Sequence, residues 1–226
     1  MAPRQLTLDL PVETRFGRED FLVSPCNETA FDMFERWPQW PDRVLLLLGP
    51  VGAGKSHLAA IWAQHAGATV LSASALATTD LPALVNTGAI LLEDADVARG
   101  IEAEFFHLLN LVRSAPSCFL VVTARSWPDA WGIKTADLLS RLRLAPAVEI
   151  GEPDDALVRA VLVKLFHDRQ LEVDITVVEY LALRIERSLA AARHIVDVLD
   201  REALRAGRSI TRPMASEVLR GLARGA

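Results

Sequence analysis

Residues Gly49-Pro50-Val51-Gly52-Ala53-Gly54-Lys55-Ser56 place glycine, lysine and a hydroxyl at the spacing G-x-x-x-x-G-K-[ST]. Glycines let such a loop curl until its backbone N–H groups point inward at an anion, and the lysine adds a full positive charge. The chemistry is that of holding a polyphosphate. Lys55 would bridge the β- and γ-phosphates, the Ser56 hydroxyl would ligate Mg²⁺, and a helix starting here would add its positive dipole end. The chain has three lysines, Lys55, Lys134 and Lys164, among 24 basic residues, so a lysine in this setting carries weight.

A loop of this kind works with carboxylates at the end of a neighbouring strand, which hold the metal and orient water. Ala89-Ile-Leu-Leu-Glu93-Asp94-Ala-Asp96 offers them. The usual order puts a short aspartate first; here Glu93 takes the metal position and Asp94 the water-activating one. The extra methylene of Glu93 shifts the geometry, so tight binding with poor self-hydrolysis is expected.

The elements that must position these groups are visible as short apolar runs alternating with amphipathic stretches. Val44–Leu48, Thr69–Ser72, Ala89–Glu93, Cys118–Thr123 and Ala147–Ile150 read as strands buried on both faces. Lys55–His65 and Glu102–Arg113 repeat apolar residues at helical spacing. After Pro153 the pattern turns helical: Asp154–Arg169, Ile175–Arg187, Leu189–Ala206 and a last helix after Thr211, with Asp154 and Asp174 as caps and Gly207 as a stop. The expected fold is α/β, a five-stranded parallel sheet flanked by helices, with a small C-terminal helical lid. The divisions are a tail at 1–20, a nucleotide-binding domain at 21–151 and the lid at 152–226.

Composition limits the function. A chain of 226 residues that is 51% hydrophobic can build a core and is not disordered. Its formal charge of −5 excludes a protein built to coat nucleic acid or an anionic membrane. Two cysteines, Cys26 and Cys118, are too few for a disulfide framework and fit a reducing cytoplasm. No apolar run reaches the length of a membrane span.

With the loop and the acidic strand placed, the chain resembles the AAA+ ATPases of the DnaA-related family, and within it the Hda-type regulators of replication initiation. Gly54-Lys55-Ser56-His57-Leu58 is similar to that family's phosphate loop, including the histidine. Glu104-Phe-Phe-His107-Leu-Leu-Asn110 is similar to its helix after the acidic strand. Asp137-Leu-Leu-Ser140-Arg141-Leu142 resembles its arginine-finger box, and Asp200-Arg-Glu-Ala203 lies in a lid-like helix. The resemblance implies ADP or ATP as cofactor with Mg²⁺, and Arg141 as a group that completes the active site of an ATP-bearing initiator. Two family positions differ: Thr123-Ala124-Arg125 lacks the expected Asn or Asp, and alanines stand at 190–191 where an arginine belongs, with Arg193 one turn later as the substitute. The chain ends without the initiator's basic DNA-reading domain, so direct sequence-specific DNA binding is not expected.

Gln5-Leu6-Thr7-Leu8-Asp9-Leu10 places leucines in a terminal segment with no evident reason to be apolar. It is similar to the hexapeptide by which Hda-type proteins and polymerases bind the sliding clamp of DNA polymerase III, with Gln5, Leu6, Leu8 and Leu10 entering the groove; an edge strand is the plainer alternative. The tryptophans read as packing anchors, and Phe34–Pro41 as a cover for the adenine edge. Two other functions stay open: a helicase-loader or transposase-helper ATPase, and a non-hydrolysing nucleotide-bound adaptor. Self-association is also left open.

Overall fold

The computed structural model describes residues 17–97 and 99–225. Strands β1 (Val44–Leu48), β2 (Thr69–Ser72), β3 (Ala89–Glu93), β4 (Phe119–Ala124) and β5 (Ala147–Glu149) form one parallel sheet in the order β2-β3-β4-β1-β5. All five residues of β1 are buried, as a central strand covered on both faces requires. Successive side chains point to opposite faces. Leu46 and Leu48 enter one core cluster, whereas Leu45 and Leu47 enter the other. β2 departs from the expected burial on both faces. It is the edge strand, and Val70 is 52% exposed.

The two faces are covered by different helices. α1 (Glu28–Glu35) and α2 (Lys55–Ala66) bury Phe34, Leu58 and Trp62 against Leu45 and Leu47. α3 (Leu81–Val85), α4 (Glu102–Ser114) and α5 (Ala136–Leu144) bury Leu84, Leu108 and Leu142 against Leu46 and Leu48. The phosphate loop therefore leads into a helix on one face, and Arg141 rides on a helix of the other.

The lid comprises α6 (Asp155–Asp168), α7 (Ile175–Ala182), α8 (Leu189–Ala206) and α9 (Arg212–Gly225), packed around their own core of Leu162, Phe166, Leu181, Ile195 and Leu199. The caps are those expected: Asp154 Oδ1 accepts from the Leu157 N–H at 2.7 Å, Asp174 Oδ1 from the Thr176 N–H at 2.8 Å, and Gly207 ends α8 in the left-handed region at φ 60°. α7 stops at Ala182, short of the expected Arg187. The turns that follow bring Ser188 round to cap α8, where its Oγ accepts from the Ala190 and Ala191 N–H groups at 3.2 and 3.3 Å.

Candidate functional site

β1 ends beside β4 and β5, so the loop after it opens at the carboxyl edge of the sheet, where ligands bind in open α/β folds. Gly49, Gly52 and Gly54 have φ values of 149°, 76° and 108°, a region that side-chain-bearing residues rarely enter. A Cβ on Gly49 would overlap the Ile150 carbonyl oxygen, and one on Gly52 would overlap Ser188 Oγ. The loop is thus a cradle with backbone for its wall. Ala53 is buried in the core beneath it, and Val51 stands 65% exposed at its tip.

Lys55 opens α2 and is 9% exposed. Its Nζ donates to the carbonyl oxygens of Gly49 at 2.7 Å and Pro50 at 2.9 Å. Burial pulls its pKa below the usual lysine value, against the opposing pull of Asp94 and Asp96. A buried ammonium held only by two neutral carbonyls is an unsaturated positive site, and a phosphate would complete it. The residues present therefore fit a nucleotide polyphosphate.

The acidic end of β3 is tied to β4. The Asp94 N–H donates to Thr123 Oγ1 at 3.1 Å, and the Ala95 N–H to the Thr123 carbonyl at 3.0 Å. Asp94 takes φ 56°, and its side chain is exposed. Glu93 is half-buried, and desolvation raises its pKa, with Asp94 adding to the rise. Beyond them Asp96 faces Arg125 at 3.9 Å, with its Oδ1 buried and unbonded. Thr123 and Arg125 thus occupy the strand exit where the family pattern has Asn or Asp; Asp96 and Arg125 had no assigned part in the sequence reading. The described residues include no grouping of three His, Cys, Asp or Glu side chains that could bind a metal by themselves. A cation here would rely on Ser56, Glu93 and the phosphates it accompanies.

The lid closes on the loop. The Leu189 N–H donates to the Gly52 carbonyl at 2.9 Å, and Ser188 is 7% exposed. Arg193 is half-buried; burial lowers its pKa, and its charge acts on His57, so it lies on the side of the lid that faces the head of α2.

Phe34–Pro41 does not cover this site. Trp37 packs on Trp62, His65 and Phe119, with His65 5.5 Å from it. His65 lies in the last turn of α2, about 15 Å along the helix from Lys55. The residues at the loop are instead Phe21, which stacks on Phe31 at 5.5 Å and meets His57 edge-on at 5.4 Å, and Cys26, whose carbonyl accepts from the Gly151 N–H at 2.8 Å. Nothing local in Arg18–Cys26 carried that signal.

His57 is half-buried, with its ring edge-on to Phe21. Burial first, then the Arg193 charge, push its pKa below the usual 6.5. The unfolded chain then binds the proton more readily, so His57 contributes stability above about pH 6.5 that is lost as the pH falls towards its folded-state value. The urea midpoint should decline between about pH 7 and 5.5, and a His57→Gln variant should lose measurably less over the same interval.

Arg141 stands apart from the loop. Its guanidinium lies over the Phe106 ring at 4.8 Å from the centroid, and its carbonyl accepts from Arg113 at 3.4 Å. Arg143 beside it is committed to Asp129. Gln5, Leu6, Leu8 and Leu10 lie outside the described residues.

Sheet order, phosphate loop and helical lid together define an AAA+ P-loop fold. Domain III of the replication initiation protein DnaA from Thermotoga maritima superposes with a TM-score of 0.78 over 91% of this chain and 96% of that one, at 18% identity. AMPPCP-bound DnaA from Aquifex aeolicus gives 0.69 over 80% and 64%, at 20% identity. In sequence, the chromosomal replication initiator protein DnaA of Anaplasma marginale is 25% identical over 96% of this chain, which spans about half of that protein (52%). Residues 155–219 match the family described as Hda, lid domain. The fold is thus that of the DnaA proteins on which the chain superposes, and residues 155–219 form a lid of the Hda type.

Proposed function

We propose that this protein is an Hda-like negative regulator of DNA replication initiation. It binds ADP or ATP in the loop Gly49–Ser56, is tethered to the sliding clamp through Gln5–Leu10, and stimulates ATP hydrolysis on the initiator DnaA through Arg141. The observation that carries the reading is the Hda-type lid folded onto an intact phosphate loop, with Arg141 on the opposite face of the same sheet.

The chain's own residues divide the work. The loop amides and Lys55 hold the phosphates, His57 and Arg193 border them from α2 and the lid, and Ser56 with Glu93 would hold Mg²⁺. A bound Mg²⁺ supplies charge neutralisation between the phosphates. Asp94, the candidate water-activating carboxylate, is exposed on a left-handed backbone, and burial disfavours the ionised form of Glu93. Both features favour retaining nucleotide over hydrolysing it. Arg141 acts on the neighbouring initiator's ATP, where a guanidinium stabilises charge on the transferring phosphoryl group.

Retention on immobilised sliding clamp tests the tether. The unaltered chain should be retained, and a Gln5→Ala/Leu8→Ala chain should pass through, because the anchoring amide and one groove-filling side chain are gone. Equal retention of both would remove Gln5–Leu10 from the account.

A further inference from the structure

The first described residues form a strap between core and lid. Arg18 is paired with Glu35 of α1, and Phe21 is 8% exposed between Phe31 of α1 and His57 of α2. Phe21 also lies 3.9 Å from where a Cβ on Gly54 would stand. Between those anchors, Asp20 Oδ1 meets Lys164 Nζ of α6 at 2.6 Å. The pair is largely withdrawn from solvent, with side-chain exposures of 17% for Asp20 and 23% for Lys164. The expected terminal tail at 1–20 therefore includes, at Arg18 and Asp20, residues paired with α1 and α6.

The placement matters because lid and core are otherwise joined at the loop itself by the Leu189–Gly52 hydrogen bond and the packing of Ser188 on Gly52. Asp20–Lys164 is a second fastening, made from the far side of His57. Lys164 also pairs with Asp168 one turn along α6 at 2.8 Å, a bond internal to the lid that touches neither strap nor core. The two partners of one ammonium thus separate a bridging role from a local one.

Building on the nucleotide-binding reading, we propose that Asp20 and Lys164 are positioning residues that hold the lid closed over the phosphate loop and so set how long nucleotide is retained. Neither touches the phosphates; they act through the strap and α6. Removing the fastening leaves the loop intact and frees the lid to open. Release then quickens while the cradle stays formed.

The test is stopped-flow release of a fluorescent adenine nucleotide from the full chain, chased with unlabelled nucleotide. Asp20→Asn and Lys164→Gln should each speed release about five- to tenfold, as loss of one partly desolvated charge pair implies. The double variant should be no faster than either single one, since both remove the same contact. Asp168→Asn removes the other partner of Lys164 and should stay within about twofold of the unaltered chain. Unchanged release in Asp20→Asn, additive effects in the double variant, or an equal acceleration in Asp168→Asn would overturn the assignment. Failure of the unaltered chain to bind the probe would overturn the nucleotide reading itself, and this inference with it.

Discussion

Arg141→Ala should reduce the stimulation of initiator ATP hydrolysis by about 10³-fold or more, the magnitude that separates a phosphoryl-transfer site with its arginine from one without. The structure constrains how the loss should look. Arg141 lies on α5, whose Leu138 and Leu142 pack on the sheet face opposite α2 and the phosphate loop. The chain's own nucleotide affinity should therefore be unchanged in the variant. Stability should change little too: the side chain gives up a half-exposed stacking contact with Phe106, worth about 0.5–1 kcal/mol. Arg141→Lys should fail almost as completely, because a point charge does not reproduce the planar guanidinium fork. Single-turnover measurements, paired with calorimetric titration of the same preparations, separate these outcomes.

Lys55→Ala should weaken adenine nucleotide binding by about a hundredfold or more. Truncating one partner of a buried, hydrogen-bonded charge pair costs about 2–5 kcal/mol, and here the partner left behind would be the polyphosphate in a cradle of backbone amides. The nucleotide-free chain should respond differently. Lys55 is buried against two neutral carbonyls and its pKa is held down by that burial. Its removal relieves a desolvation cost, and the thermal midpoint of the free chain should stay level or rise. Titration calorimetry with ADP and ATP reads the first effect and thermal unfolding without nucleotide the second. An affinity within about threefold of the unaltered chain would contradict the role assigned to Lys55.

Much of this was legible in the sequence because it is written locally. Three of the five strands, β1, β2 and β3, fall on the residues expected; for β1 and β3 the reason is that a parallel strand covered on both faces must be a nearly unbroken apolar run. The phosphate loop is similarly local: glycines, lysine and serine at fixed spacing, between a strand and a helix. β2, Thr-Val-Leu-Ser, lies at the edge rather than inside the sheet, because sheet order depends on crossovers that no single run encodes.

Phe34–Pro41 shows a different failure. It adjoins β1 in sequence, but it adjoins the amino end, and the loop lies at the carboxyl end. Five residues of strand separate the two, about 16 Å. The residues that do border the loop, Phe21, Cys26 and Ser188, arrive from distant parts of the chain and carry no spacing signal. α1 and the docked strap were unread for a related reason. Arg18 of the strap and Glu35 of α1 satisfy each other, and Asp20 meets Lys164, partners far apart in sequence rather than a local pattern.

The central claim is that this chain acts on the nucleotide of another protein. Its most direct test is the conversion of initiator-bound ATP to ADP in the presence of sliding clamp loaded on DNA, with and without the nucleotide-bound chain. The account predicts rapid conversion when clamp and chain are both present, and the slow intrinsic rate when either is omitted. The same slow rate with all components present would contradict it.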